Sequence, residues 1–212
     1  MSFNNFSAEW SRLHGTAKIS RVVLGWLRIS YMLVKPLHVL RISPNLVTLA
    51  GLLFGLLTWM QRENGVSVLF LVLSLVADGI DGSLAIVSGR ASKFGAHFDS
   101  VVDRVVEFLW ALTFYKIGAP LIVIALCWTA ALAQEYVRAR SAGLGHRSID
   151  VITMAERPVR AILLGLALVG HFMNLHGESL LAYVWLILQC QALVVVLRDS
   201  YTALSANNRF GN

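Results

Sequence analysis

Between Asp78 and Asp103 the chain places four carboxylates in surroundings too oily to hold them bare. Asp78 and Asp81 stand three residues apart, and Asp99 and Asp103 four apart. Those spacings put each pair on one face of a helix. The run FLVLSLVA leads into Asp78, and VVEFLWALTF follows soon after Asp103. An acidic side chain in a membrane-embedded helix costs about 2.5–3.5 kcal/mol on insertion scales. Four that converge also repel one another, so something cationic must hold them. The hard, oxygen-seeking candidates are Mg²⁺, Mn²⁺ and Ca²⁺. Gly82 and Ala85 follow the first pair and Gly95 lies one turn before Asp99, which lets two helices approach closely and leave room for a ligand. Isolated carboxylates often cap helices or pair with a nearby arginine, such as Arg104 beside Asp103, but four acids with small residues at these intervals argue for a shared site.

The rest of the composition says what kind of solvent the chain meets. Of its 212 residues 57% are hydrophobic and only 14% charged, where a soluble domain of this length carries about a quarter charged residues. An all-α polytopic membrane protein follows. The formal charge of +6 fits anionic headgroups and phosphorylated substrates. No basic run with interleaved aromatics stands in a polar setting, which argues against nucleic acid. Cys127 and Cys190 sit in apolar stretches and are expected to be buried small hydrophobes, without a disulfide or a metal role. The N-terminal MSFNNFSAEW lacks the charged start and apolar core of a cleaved signal, so insertion is expected to rely on the spans themselves.

Residues 1–16 are polar with scattered aromatics and read as a surface lead-in. Over 17–41 the pattern changes. Lys18, Arg21, Arg28 and Lys35 share one stripe at about 100° per residue, with Ile19, Val22, Val23, Trp26, Leu27, Leu33, Val34 and Leu37 on the remainder. Such a helix is expected to lie in the headgroup plane, the alternative being a true span with its charged face turned inward. Ser43 then caps a new helix with Pro44 in its first turn. Six spans are predicted, at 44–61, 66–87, 93–116, 118–141, 157–174 and 178–204. Gly51 and Gly55 form a GxxxG pair that reads as helix packing. The organisation is thus a surface segment over 1–42, a six-helix transmembrane domain over 43–205 and a short tail over 206–212. Lysine and arginine gather on one side: residues 18–41, Arg90, Lys93, Arg138, Arg140, Arg147, Arg157, Arg160 and Arg209, against Arg62 and Lys116 on the other. The basic side is cytoplasmic. Both termini and the carboxylates are expected there, in a multi-pass protein of the cell membrane.

The acidic stretch resembles the signature of the CDP-alcohol phosphatidyltransferases, Asp-x2-Asp-Gly-x2-Ala-Arg, eight or nine residues, then Gly-x3-Asp-x3-Asp. Asp78, Asp81, Gly82, Ala85, Gly95, Asp99 and Asp103 match it at every interval. One position departs: the family arginine after the alanine is Ile86. The resemblance implies transfer of a phosphatidyl group from CDP-diacylglycerol to an alcohol with release of CMP. It implies two ions, Mg²⁺ or Mn²⁺, with Asp78, Asp81 and Asp99 as main ligands and Asp103 as general base that also touches metal. Gly82 and Ala85 would lie against the cytidine nucleotide, beside Pro44, Asn45 and Thr48, which are similar to the family's Pro-Asn-x-x-Thr element. With Ile86 in place of arginine, Arg90 or Lys93 is expected to meet the pyrophosphate. Family members often form homodimers.

A second set of residues bears on the acceptor. Arg138 and Arg140 end the fourth span, Glu156-Arg157-Pro158-Val159-Arg160 opens the fifth, and Arg198 stands in an otherwise apolar run in the sixth. Arg138 and Arg140 also read as a positive-inside flank, whereas Arg198 inside a span needs an anionic partner. Guanidinium groups grip phosphate bidentately. The pattern resembles the actinobacterial phosphatidylinositol phosphate synthases, which implies Arg138, Arg157, Arg160 and Arg198 as a pocket for a phosphorylated alcohol. Inositol phosphate ranks first and glycerol 3-phosphate, the acceptor of phosphatidylglycerophosphate synthesis, second. Intramembrane acids and arginines also mark transporters. Here the carboxylates cluster at one interface and no internal repeat is visible, which favours the enzyme.

Overall fold

The computed structural model describes residues 1–13, 19–146 and 152–207, so Lys18, Arg147 and Arg209 lie outside the described residues. Among the described residues the chain is eight α-helices and no strand: α1 (Phe3–Leu13), α2 (Arg21–Val39), α3 (Pro44–Met60), α4 (Val66–Val87), α5 (Lys93–Lys116), α6 (Leu121–Gly143), α7 (Arg157–Phe172) and α8 (Glu178–Asn207). α3 to α8 fall where the apolar runs place them. The helix ends are chemically marked. Ser43 Oγ accepts from Leu46 N–H ahead of Pro44, and Ser92 Oγ accepts from Gly95 N–H at the start of α5. Gly118, at φ 120, ends the α5 run in a conformation that favours glycine.

Among the described residues four helices are long and apolar enough to cross a membrane: α2, α4, α6 and α8. α3 is apolar but has 17 residues, about 26 Å at 1.5 Å per residue. α7 has 16 residues, and α5 carries Lys93, Asp99, Asp103, Arg104, Glu107 and Lys116 along its length. α2 meets the length and hydropathy of a span although its basic stripe reads as a surface helix.

The chain divides into two compact units, Met1–Leu57 with Leu69–Val106, and Thr58–Val68 with Glu107–Asn212. In the first, Phe6, Leu27, Val34, Val47, Ala77, Ile80, Leu84, Ile86 and Val87 form one apolar core. Gly51 lets α3 approach α4, where a Cβ would touch Ala77 Cβ at 3.4 Å, and Ser74 Oγ donates to Gly51 C=O at 2.9 Å. Gly55 faces Val106 of α5. The GxxxG pair is helix packing. The polar N-terminal stretch forms a helix that docks through its aromatic residues. Phe3, Phe6 and Trp10 fall at i, i+3 and i+7 on one side of α1. Phe6 is fully buried, Phe3 and Phe6 meet Tyr31 of α2 at ring distances of 5.6 and 5.4 Å, and the Tyr31 hydroxyl donates to Met1 C=O at 2.5 Å.

In the second unit α8 packs along α6 and α7. Its polar core is a chain of amides: Gln189 Nε2 donates to Gln134 Oε1 at 2.6 Å, Trp185 Nε1 to Gln189 Oε1 at 3.3 Å and Gln134 Nε2 to Thr153 Oγ1 at 3.4 Å. Both glutamines are fully buried. Gln189→Leu removes a partner from each neighbour, and leaving a buried polar group unmet costs about 1–3 kcal/mol. A lower Tm in detergent, with the Gln134→Leu/Gln189→Leu pair partly recovered, is the expected result. Cys127 is buried as predicted, whereas Cys190 is exposed, because it falls on an outward face of α8.

Candidate active site

The acidic stretch folds as a helical hairpin. α4 ends because Gly89 adopts φ 67, which turns Arg90 N–H back to Ala85 C=O at 2.9 Å. Ser92 caps α5, so only a short loop separates the two aspartate pairs. Oxygens of Asp78, Asp99 and Asp103, all half-buried, lie within 4.8 Å of one another. Oxygens on opposite sides of a hard divalent cation are about 4–5 Å apart, so this all-oxygen set fits such an ion.

Asp81 takes a different position from the other three. It lies about 60° from Asp78 around α4 and is buried, with Oδ2 accepting from Thr48 Oγ1 at 2.6 Å and Oδ1 from Gly82 N–H at 2.5 Å. Each carboxylate oxygen has two lone pairs, so these bonds fix Asp81 without exhausting it. Thr48, expected against the nucleotide, is thus also the residue that orients Asp81. Sequence spacing held no sign of this bond between α3 and α4.

All four aspartates line one cavity of about 760 Å³ in the first unit. Pro44, Asn45, Thr48, Gly82, Ala85, Arg90 and Lys93, each predicted near the donor, line it too. Arg90 and Lys93 are exposed and bring positive charge to its rim. Ile86 is buried in the apolar core that also contains Phe6. Trp10, Leu13 and Trp26 line it as well, and the sequence placed none of them at the site.

The arginines predicted for the acceptor all lie in the second unit, and most have partners of their own. Arg138 Nη2 donates to Glu156 Oε1 at 2.6 Å and its Nη1 to Glu135 at 3.3 Å. Arg160 is buried, donating through Nη1 to Glu107 Oε1 at 2.8 Å and through Nε to Ala155 C=O at 2.7 Å. A buried guanidinium needs such compensation, and here a carboxylate provides it. Arg157 lies over the Trp110 ring at 5.3 Å. Arg198 is exposed along α8 and not enclosed within it, while its neighbour Asp199 pairs with His146 at 2.8 Å.

Glu156 has a consequence for pH. Burial raises its pKa, but bonds from Arg138 and from Thr153 Oγ1 and N–H outweigh burial and lower it from 4.5 to about 2. A carboxylate held lower in the folded state adds stability that is full above its unfolded pKa and is lost as pH falls through the folded one. Glu156 stabilisation is therefore expected to fade between about pH 4.5 and 2. Glu156→Gln should flatten that limb in a pH series of Tm.

The sequence profile of the CDP-alcohol phosphatidyltransferases matches residues 41–197. The chain belongs to this family. Among relatives of this CDP-alcohol phosphatidyltransferase, the archaetidylinositol phosphate synthase of Aeropyrum pernix is 37% identical over 132 residues, 59% of this chain and 67% of that one. The phosphatidylinositol phosphate synthase of Corynebacterium glutamicum is 33% identical over 153 residues, 62% of this chain and 65% of that protein. The fold is similar to that of the phosphatidylinositol phosphate synthase of Mycobacterium tuberculosis. A crystal structure with CDP-DAG bound superposes with a TM-score of 0.68 at 20% identity, covering 82% of this chain and 94% of that one. A second, with manganese and citrate, gives 0.71 at the same identity, covering 82% and 89%.

Proposed function

We propose that the chain transfers the phosphatidyl group of CDP-diacylglycerol to a phosphorylated alcohol, with inositol phosphate first, and releases CMP. The observation that carries this reading is the cluster of Asp78, Asp99 and Asp103 in a cavity built largely from the family-matched segment. The relatives named for archaetidylinositol phosphate and phosphatidylinositol phosphate synthesis support the acceptor, and the similar fold that holds CDP-DAG supports the donor.

Divalent cations, Mg²⁺ or Mn²⁺ and two in number by the resemblance, would neutralise the pyrophosphate and stabilise the departing CMP. Asp78, Asp99 and Asp103 would hold them, with Asp81 set in place by Thr48. Asp103 also accepts the acceptor's hydroxyl proton as that oxygen bonds to the phosphatidyl phosphorus and the bond to CMP breaks. Pro44, Asn45, Gly82 and Ala85 receive the nucleotide. Arg157 and Arg198 are proposed for the acceptor's phosphate, whereas Arg138 and Arg160 are each tied to a glutamate.

α3 to α8 are proposed as six spans with the carboxylates and both termini on the cytoplasmic side, supported by the lysine and arginine bias. α2 is proposed to lie along the surface, its Arg21, Arg28 and Lys35 toward headgroups. A homodimer is proposed from the family resemblance alone.

Purified protein with Mn²⁺, labelled CDP-diacylglycerol and a panel of acceptors tests the reading. CMP is expected fastest with inositol phosphate. No CMP with any acceptor removes the donor assignment, and faster release with free inositol, serine or glycerol removes the phosphorylated acceptor. The Arg90→Ala/Lys93→Ala pair should raise the KM for CDP-diacylglycerol about tenfold, since charge-assisted bonds contribute about 1.5–3 kcal/mol. An unchanged KM would leave the pyrophosphate to the metal site alone. Thr48→Val should weaken Mn²⁺ affinity by about 10–100-fold, as losing a ligand's orienting partner does.

A further inference from the structure

α1 ends well before residue 41, where the family match begins, yet it reaches the site. The Phe3, Phe6 and Tyr31 rings dock it on α2, and Trp10 and Leu13 from its last turns line the cavity that contains the aspartates. Trp26 joins them from α2. Its indole rests against the backbone of Gly79, the residue after Asp78, so closely that any Cβ at position 79 would strike the ring. Ile86, where the family has arginine, is buried in the core that α1 covers with Phe6, and Trp10 packs against the same core. This edge of the cavity is therefore apolar where the family signature has charge.

The edge also leads somewhere. Val22, Trp26, Ile29 and Leu33 repeat at intervals of four, three and four along α2, which is one helical face. All four are exposed, at 83%, 39%, 53% and 41%. A ligand group leaving the cavity past Trp26 stays in apolar contact along this face. A nucleotide base has other polar lining to meet, such as Asn45, Thr48 and Ser92.

We propose that Trp10, Leu13 and Trp26 form a wall that takes the glycerol-ester shoulder and first acyl carbons of the CDP-lipid, making the N-terminal helix a specificity element for the lipid half of the donor. The inference rests on the CDP-lipid reading above. The wall raises affinity for the lipid and leaves the soluble nucleotide alone. Gly79 is small because the indole occupies the space that a side chain would fill.

Trp10→Ala and Trp26→Ala should each raise the KM for CDP-diacylglycerol about tenfold or more, with the acceptor KM and the Kd for CDP in Mn²⁺ unchanged. A parallel loss of CDP affinity would assign the wall to the base and overturn the proposal. So would an unchanged KM. Should the tryptophan variants lose thermal stability, Leu13→Gln decides, because Leu13 is 48% exposed and the change leaves the core alone. A folded Leu13→Gln protein with wild-type KM for CDP-diacylglycerol overturns the proposal. If the wild type releases no CMP with any acceptor, the proposed activity has failed. The wall is then read from the Tm rise that CDP-diacylglycerol gives, which should shrink in Leu13→Gln, and equal rises overturn it.

Discussion

Asp99→Asn is expected to abolish CMP release, by on the order of a thousandfold or more, together with Mn²⁺ binding. Asp99 lies within the three-carboxylate cluster, and the charge stabilisation that a bound divalent cation supplies in phosphoryl transfer is worth several kcal/mol, at about 1.36 kcal/mol per tenfold in rate. EDTA should have the same effect on the wild type, reversed by adding metal back. Asp103→Asn separates two roles: as base it should remove turnover while CDP-lipid binding largely persists. Full activity in a chelated preparation would end the metal reading, and a near wild-type rate for Asp103→Asn would end its assignment as base.

The largest stability effect is expected at Glu107. Its side chain and that of Arg160 are each only 2% exposed, with Nη1 and Oε1 at 2.8 Å. Removing one partner of a buried pair costs about 3–5 kcal/mol because the other charge remains enclosed, whereas replacing both with apolar residues of similar volume is often neutral. Glu107→Leu should lower Tm in detergent sharply, and Glu107→Leu/Arg160→Met should recover most of it. A single variant as stable as the double would mean that water reaches Arg160.

These two sites differ in how visible they were from the sequence. The aspartates were legible because their partners are near in sequence. Two pairs at helical spacing in apolar runs dictate a hairpin, and Ser88-Gly89-Arg90 marks its turn through the left-handed Gly89. The Glu107–Arg160, Gln134–Gln189 and His146–Asp199 pairs are separated by 53, 55 and 53 residues, and no periodicity links their members. The available signal was weaker: a Glu or Gln inside an apolar helix must find a partner. The resemblance offered Arg160 for the acceptor's phosphate, and its buried pairing with Glu107 was not visible from the sequence. α1 was hidden by its polar composition, although Phe3, Phe6 and Trp10 already stood on one face.

Among the described residues, those lining the cavity all lie between Trp10 and Asp103. The part of the protein assigned to the activated lipid is thus finished in the nascent chain before α6 to α8 have been made. On the proposed roles, with Arg157 and Arg198 meeting the acceptor's phosphate, the groups that choose the alcohol and those that hold the activated lipid would be written in successive stretches of one gene, with Asp103 shared between them.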